Sequence, residues 1–261
     1  MKFCANLSFM YGEEENLLRR YDLAEKSGFK GVECAFPYSV PVEELKLKLM
    51  STGLTQVLIN TDPGTVYGYT GRKGEEDQFM ESLNLSLKYC RELGVKLLHI
   101  MSGIKQDGVS KEEVKGLMLS NLRKAIPILE REGVIGLLEP INPFSLPGYN
   151  MDSFNQAVDI IRELNHSNIR LQLDIFHLQQ VDGNITRRIT ELLPLVSHIQ
   201  IAQVPLRGEP NSSGELDYKY ILKLLENQRY QGWIGLEYKP VSNTQDGLRW
   251  IQDFGYNLLC I

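Results

Sequence analysis

Eight short apolar runs, each separated from the next by a stretch with helical spacing, constrain this chain more than any other feature. They lie at residues 3–8, 31–36, 56–60, 96–101, 135–141, 169–175, 198–204 and 233–238. Several end in Gly, Pro, Asn or a charged residue, as strands buried in a parallel sheet do. Between them, Leu17, Leu18, Tyr21, Ala24 and Glu25 fit one helix that stops at Ser27-Gly28. Leu83, Leu87, Cys90 and Leu93 fit another that stops at Gly94, glycine being suited to the left-handed turn after a helix. A third helix covers 114–132, with a kink expected at Pro127, and Phe154, Val158, Ile161 and Leu164 mark a fourth. Ser110-x-x-Glu113 and Ser212-x-x-Glu215 match the capping box and predict two helix starts. Open doubly wound sheets have about five or six strands, whereas eight βα units close into a barrel. The expected fold is therefore α/β: a single (β/α)8 TIM-barrel domain over residues 1–261, with its active site at the C-terminal ends of the strands.

Composition removes several function classes. The chain has a net charge of −5, which argues against a nucleic-acid partner, because such affinity rests on a surplus of Lys and Arg. Cys4, Cys34, Cys90 and Cys260 are far apart and form no C-x-x-C pair, so buried, reduced thiols are expected rather than a zinc cluster or a disulfide framework. The N-terminus has no apolar signal-like stretch, and no apolar run reaches about 18 residues. These features predict a cytoplasmic protein with no membrane partner. Apolar helix faces read alike whether they meet the core or another subunit, which leaves a homo-oligomer open.

Barrel enzymes carry their chemistry where strands end and the following loops begin. The last four runs each place one oxygen ligand near that end: Glu139, Asp174, Gln200 and Glu237. Adjacent strands are about 4.8 Å apart, so four neighbouring ends can converge on one ion. Side chains alternate faces along a strand, so Glu139 shares a face with Leu137 and Glu237 with Gly235. A carboxylate among apolar residues is costly unless it is paired or metal-bound. Three carboxylates and one amide oxygen form a hard site suited to Mg²⁺ or Mn²⁺, and less suited to zinc, which favours His or Cys.

The runs Leu-Leu-Glu139-Pro-Ile-Asn, Leu-Asp174-Ile-Phe-His177, His198-Ile-Gln200-Ile-Ala, Arg207-Gly-Glu209-Pro and Gly-Leu-Glu237-Tyr-Lys-Pro resemble the hydroxypyruvate isomerase family of xylose-isomerase-like barrels. Phe3-Cys-Ala-Asn6-Leu-Ser8 and Gly31-Val-Glu33-Cys-Ala-Phe-Pro37-Tyr38 are similar to its first two strands, so the likeness covers essentially the whole chain. The resemblance implies that Glu139, Asp174, Gln200 and Glu237 are the metal ligands, with Glu139 and Glu237 also the catalytic acid/base pair. It implies interconversion of hydroxypyruvate and 2-hydroxy-3-oxopropanoate through an enediolate. Keto-sugar epimerases of this kind usually carry His where Gln200 stands, which favours the hydroxypyruvate branch. The loop after the third strand, beginning Asp62-Pro-Gly and running through Arg72, looks shorter than in bacterial members of the family and bears on substrate identity.

A small hydroxy-carbonyl acid or sugar is the expected partner, and an anionic one needs a cation. Arg207 is the first candidate, because a guanidinium binds a carboxylate with two parallel hydrogen bonds; pairing with Glu209 is its alternative role. His177 can donate to a substrate oxygen or serve as a core histidine, and Glu209, Lys239 and Arg72 complete the substrate-binding set. Phe9, Phe36 and Trp233 read as packing. The rival readings are isomerisation or epimerisation of a larger ketose or 2-oxo sugar acid, a non-catalytic sugar-binding barrel, and a metal-dependent DNA-repair endonuclease. The last would want further histidine ligands and a basic groove, and the chain has four histidines.

Overall fold

Strand and helix alternate along the chain because its apolar residues switch period from two to nearly four and back. In the computed structural model, which describes residues 1–258, β1 (Lys2–Asn6) is followed by α1 (Leu17–Lys26), β2 (Gly31–Cys34), α2 (Val42–Thr52) and β3 (Thr55–Asn60). Then come α3 (Glu76–Leu93), β4 (Leu97–His99), α4 (Lys111–Glu132), β5 (Ile135–Leu138) and α5 (Phe154–Leu164). The second half runs β6 (Ile169–Asp174), α6 (Ile175–Val181), α7 (Ile185–Leu192), β7 (Val196–Ile201) and α8 (Tyr218–Asn227). It ends with β8 (Trp233–Leu236), α9 (Thr244–Gly247) and α10 (Arg249–Asp253). All eight strands are parallel and close into a barrel in chain order, with β8 pairing β1 through Phe3 opposite Ile234 and Cys4 opposite Gly235. This is the (β/α)8 barrel expected from the sequence.

Local rules explain most element ends. Gly53, Gly94 and Gly133 take positive φ at the ends of α2, α3 and α4. Ser110 and Glu113 form both halves of a capping box at the start of α4, and that helix runs on through Pro127. The second expected box does not form. Helix α8 begins at Tyr218 with Asp217 as its cap, accepting from the Tyr220 amide. Ser212 instead donates to the Glu209 carbonyl (2.7 Å), and Glu215 accepts from Gln179. An aspartate closer to the apolar run of the helix outcompetes the serine five residues earlier. Apart from β3, which spans its whole run, the strands end before the apolar runs do, because those runs continue past the last ladder bond into the loop that follows.

The barrel has two interiors. Between sheet and helices lies the main core, including Tyr21, Phe79, Phe154 and Trp250, all under 3% exposed. One end of the lumen is plugged by Cys4, Val57, Leu58 and Leu137, with Leu97, Ile135 and Trp233 against them. Trp233 therefore packs, as expected. The rest of the lumen is polar: Asn6, Glu33, His99, Gln172, Asp174, His198 and Gln200 are all buried. Cys4, Cys34 and Cys90 are free and buried, with burial pushing the Cys34 thiol up to about 11 and Cys90 to about 12; Cys260 lies outside the described residues. Among the described residues no helix is long and apolar enough to cross a membrane.

Candidate active site

Three carboxylates converge at the C-terminal mouth. Glu139 follows β5, Asp174 ends β6 and Glu237 follows β8. Asp174 divides its two oxygens. Oδ1 caps α6 by accepting from the Phe176 amide (2.8 Å), which leaves Oδ2 facing Arg207 (3.2 Å) and His177 Nε2 (3.4 Å). Glu139 Oε2 lies 3.1 Å from His99 Nδ1, and its Oε1 lies 4.0 Å from His177 Nε2. Ligand atoms of Glu139, Asp174 and His177 all fall within 4.8 Å of one another.

Arg207 is the one arginine inserted among these acids. Its backbone takes φ of 58°, its guanidinium stacks between Phe9 (4.6 Å) and Phe176 (4.5 Å), and Nε donates to the Glu237 carbonyl (3.1 Å). The same group pairs with Glu237 Oε2. Two aromatic faces hold a planar cation with little freedom left to lose, which suits it to bidentate recognition of a carboxylate. Phe9 is thus part of the site rather than simple packing. His177 has a readable tautomer. The Asn142 amide nitrogen donates to Nδ1 (3.2 Å), so the ring proton sits on Nε2 and points at Asp174 and Glu139.

Burial sets the protonation. It pushes Glu139 well above the carboxylate range, and the charges of Glu237 and Asp174 push it further. Burial lifts Glu237 to about 8 against the opposing pull of Arg207, with Asp174 and Glu33 adding to the rise. Burial also holds His177 down at about 4 and His99 at about 3, so both rings are neutral at pH 7. Among the described residues, the basic side chains within 4.0 Å of Glu139 are those two neutral histidines, which form no ion pair with it. A nest of buried carboxylates with a single guanidinium is short of positive charge, and hard oxygen donors in that state fit a divalent cation.

The remaining expected residues fall in different places. Gln200 is in register with Asp174, but its amide is engaged: Nε2 donates to Glu33 (2.8 Å) and Oε1 accepts from Gln172 (2.6 Å). Glu209 is buried and does not pair with Arg207; its Oε1 accepts from the Val241 amide (2.8 Å), tying the loop after β7 to the loop after β8. Lys239 is exposed, and its backbone amide donates to the Arg207 carbonyl (2.7 Å). Arg72 pairs bidentately with Glu75 (2.7 Å for each bond) and donates to the Ile104 carbonyl, so it braces the loops after β3 and β4 rather than joining the acids. Three polar residues at the site went unassigned in the sequence: Asn6, whose Nδ2 is 3.2 Å from Glu237 Oε1, Glu33 and His99. Their signal was a polar residue inside an apolar strand.

Comparison with known proteins agrees with this geometry. The Xylose isomerase-like TIM barrel family model matches residues 21–254. Hydroxypyruvate isomerase of Escherichia coli (strain K12) is 37% identical, over 97% of this chain and 99% of its own. The 2-oxo-tetronate isomerase of Haemophilus influenzae is 38% identical over the same shares. A crystal structure from Brucella melitensis, titled AP endonuclease, family 2, superposes with a TM-score of 0.92 at 38% identity, covering 97% of this chain and 98% of that one. A closed barrel, carboxylates gathered at its C-terminal mouth and full-length likeness to named isomerases lead to one conclusion: the chain is an isomerase belonging to the hydroxypyruvate isomerase family of xylose isomerase-like TIM barrels.

Proposed function

We propose that the enzyme interconverts hydroxypyruvate and 2-hydroxy-3-oxopropanoate, with Glu139 and Glu237 as its acid/base pair. The observation that carries this reading is the clamped Arg207 guanidinium lying between Asp174 and Glu237, a cation placed to take an anionic substrate beside two glutamates whose affinity for protons is raised. In the forward direction one glutamate removes a proton from the CH₂OH carbon, giving an enediolate. The other helps deliver a proton to the former ketone carbon, while the hydroxyl proton passes between the two oxygens. Atoms balance and no redox partner is needed. General acid–base steps of this kind contribute about 10²–10⁴-fold. Arg207 would hold the substrate carboxylate, and the Nε2–H of His177 would donate to a substrate oxygen.

Glu139, Asp174, Gln200 and Glu237 are the proposed ligands of a divalent ion, Mg²⁺ or Mn²⁺. Once bound, that ion would supply Lewis-acid stabilisation of negative charge on the substrate oxygens. Such an ion would also lower the proton affinity of both glutamates. Gln200 would contribute its amide oxygen, since its Nε2 is held by Glu33. The near-equal identity to the Escherichia coli and Haemophilus influenzae relatives keeps a 2-oxo-tetronate as the second reading of the substrate.

The test is proton NMR of metal-stripped, Mg²⁺-restored and Mn²⁺-restored protein with hydroxypyruvate in D₂O, and in parallel with 2-oxo-tetronate. Metal-dependent appearance of the aldehyde isomer with deuterium on carbon is expected, and its loss by at least about 10²-fold in Glu139→Gln. Turnover of the tetronate alone would replace the substrate. No exchange with either compound would sink the reading.

A further inference from the structure

Glu33 has no part in that scheme, yet it is the most heavily engaged carboxylate in the lumen. It stands on β2, fully buried. Its Oε1 accepts from Asn6 Nδ2 (2.8 Å) and from Gln200 Nε2 (2.8 Å). Its Oε2 faces His198 Nε2 (2.6 Å) and Cys4 Sγ (3.6 Å). The fold makes room for it at some cost, since a Cβ on Gly235 would lie 2.3 Å from its Oε1. Gly235 is in register with Gln200, so β8 gives up a side chain at the level where β7 presents its amide.

Two of these contacts lead to the proposed metal set: Gln200 belongs to it, and Asn6 bonds Glu237. Asn6 is locked at one end, because its Oδ1 accepts from the Ser8 amide (3.0 Å). Its two Nδ2 protons therefore serve Glu33 Oε1 and Glu237 Oε1 (3.2 Å). Gln200 is locked in the same manner. The two ends of an amide are nearly the same shape, and what chooses between them is the neighbour. A carboxylate only accepts, so Gln200 must turn its nitrogen to Glu33 and its oxygen away.

We infer that Glu33 is a positioning residue: it fixes which end of the Gln200 amide is oxygen and, through Asn6, where the Glu237 carboxylate stands. The metal set is thereby oriented before an ion arrives. This rests on the ligand set proposed above. A merely structural Glu33 would affect folding and leave ion affinity alone.

The experiment is calorimetric titration of Mn²⁺ into parent, Glu33→Gln and Asn6→Ala proteins without substrate, together with kcat and KM at saturating Mn²⁺. Glutamine keeps the shape of Glu33 but can offer either end to Gln200. Residues that orient ligands typically change metal affinity by about 10–100-fold when replaced, and that loss is expected for Glu33→Gln in a folded protein. Asn6→Ala, which removes the bridge from Glu33 to Glu237 and leaves the Gln200 bond to Glu33 in place, is expected to weaken Mn²⁺ about tenfold and to lower kcat more than it raises KM. A folded Glu33→Gln that binds Mn²⁺ as the parent does would overturn the inference. Should Glu33→Gln not fold, parent-like binding by Asn6→Ala overturns it equally. A parent that binds no Mn²⁺ overturns the ligand reading and this inference with it, whereas normal parent binding with unaffected variants removes the inference alone.

Discussion

Glu139 and Glu237 have the same functional group and different neighbours. Glu237 shares Arg207 and an Asn6 amide, whereas Glu139 has His99 at Oε2 and His177 farther off. His99 is buried, and neither of its ring nitrogens has a well-aligned hydrogen bond. Orphaned buried nitrogens are uncommon, and Nδ1 is accounted for if its N–H swings into line with Glu139 once substrate or ion fixes that carboxylate. Asparagine reproduces the position of Nδ1 and glutamine that of Nε2. His99→Asn should therefore keep kcat within a few-fold of the parent, while His99→Gln should lose about tenfold, the equivalent of one hydrogen bond to a charged group. Steady-state kinetics of the two folded variants decide it, and equal losses would remove the role. Little of this was legible beforehand. Glu139, Asp174 and Glu237 stand out in the sequence because each lies near the end of an apolar run. Asn6, Glu33 and His99 sit within short strands, where alternation separates two faces but does not say which one looks into the lumen.

At the scale of elements, the sequence pattern located all eight strands and four of the helices, because burial of parallel strands and amphipathic spacing are local consequences of the fold. Ends were less legible. A capping motif satisfies backbone donors only if a helix starts there, and competing caps lie within a few residues of each other. The two serine motifs make a paired test. Ser110→Ala should cost about 0.5–2 kcal/mol, because its hydroxyl accepts from the Glu113 amide. Ser212→Ala loses only a donor to the Glu209 carbonyl and should fall below about 0.5 kcal/mol, as a surface change does. Urea unfolding of both variants measures the difference; equal costs would contradict the assignment of Asp217 as the cap of α8. The loops show the same division. Arg72 and Glu209 look like ligand-binding residues in sequence, but one braces two loops through Glu75 and Ile104 and the other links the last two loops. Charge type is visible in a sequence, but which neighbour answers it is set by loop geometry.

For the whole molecule, the site's titrations set opposing slopes on stability. His99 and His177 have folded pKa values near 3 and 4, below the ordinary 6.5, so their contribution is complete above 6.5 and is lost as pH falls toward those values. Glu237 is raised from 4.5 to about 8, so its contribution is complete below 4.5 and is lost as pH rises through 8. Between about pH 6.5 and 8 the histidine terms are flat and the glutamate term falls. Metal-free protein should therefore become less stable across that window in urea unfolding, and Glu237→Gln should flatten the decline; a parent that gains stability from 6.5 to 8 would refute the assignment. The Asn6–Glu237 contact has a different consequence, since it joins residues 231 positions apart across the β8–β1 seam. Phe9 from the first loop likewise presses on Arg207 from the seventh. The first and last strands of the barrel thus meet at the candidate site, so a chain cut before β8 would lack one of its three carboxylates. During refolding, catalysis should return only when the ring shuts, behind the recovery of helical signal, which makes turnover itself a clock for the last event in folding.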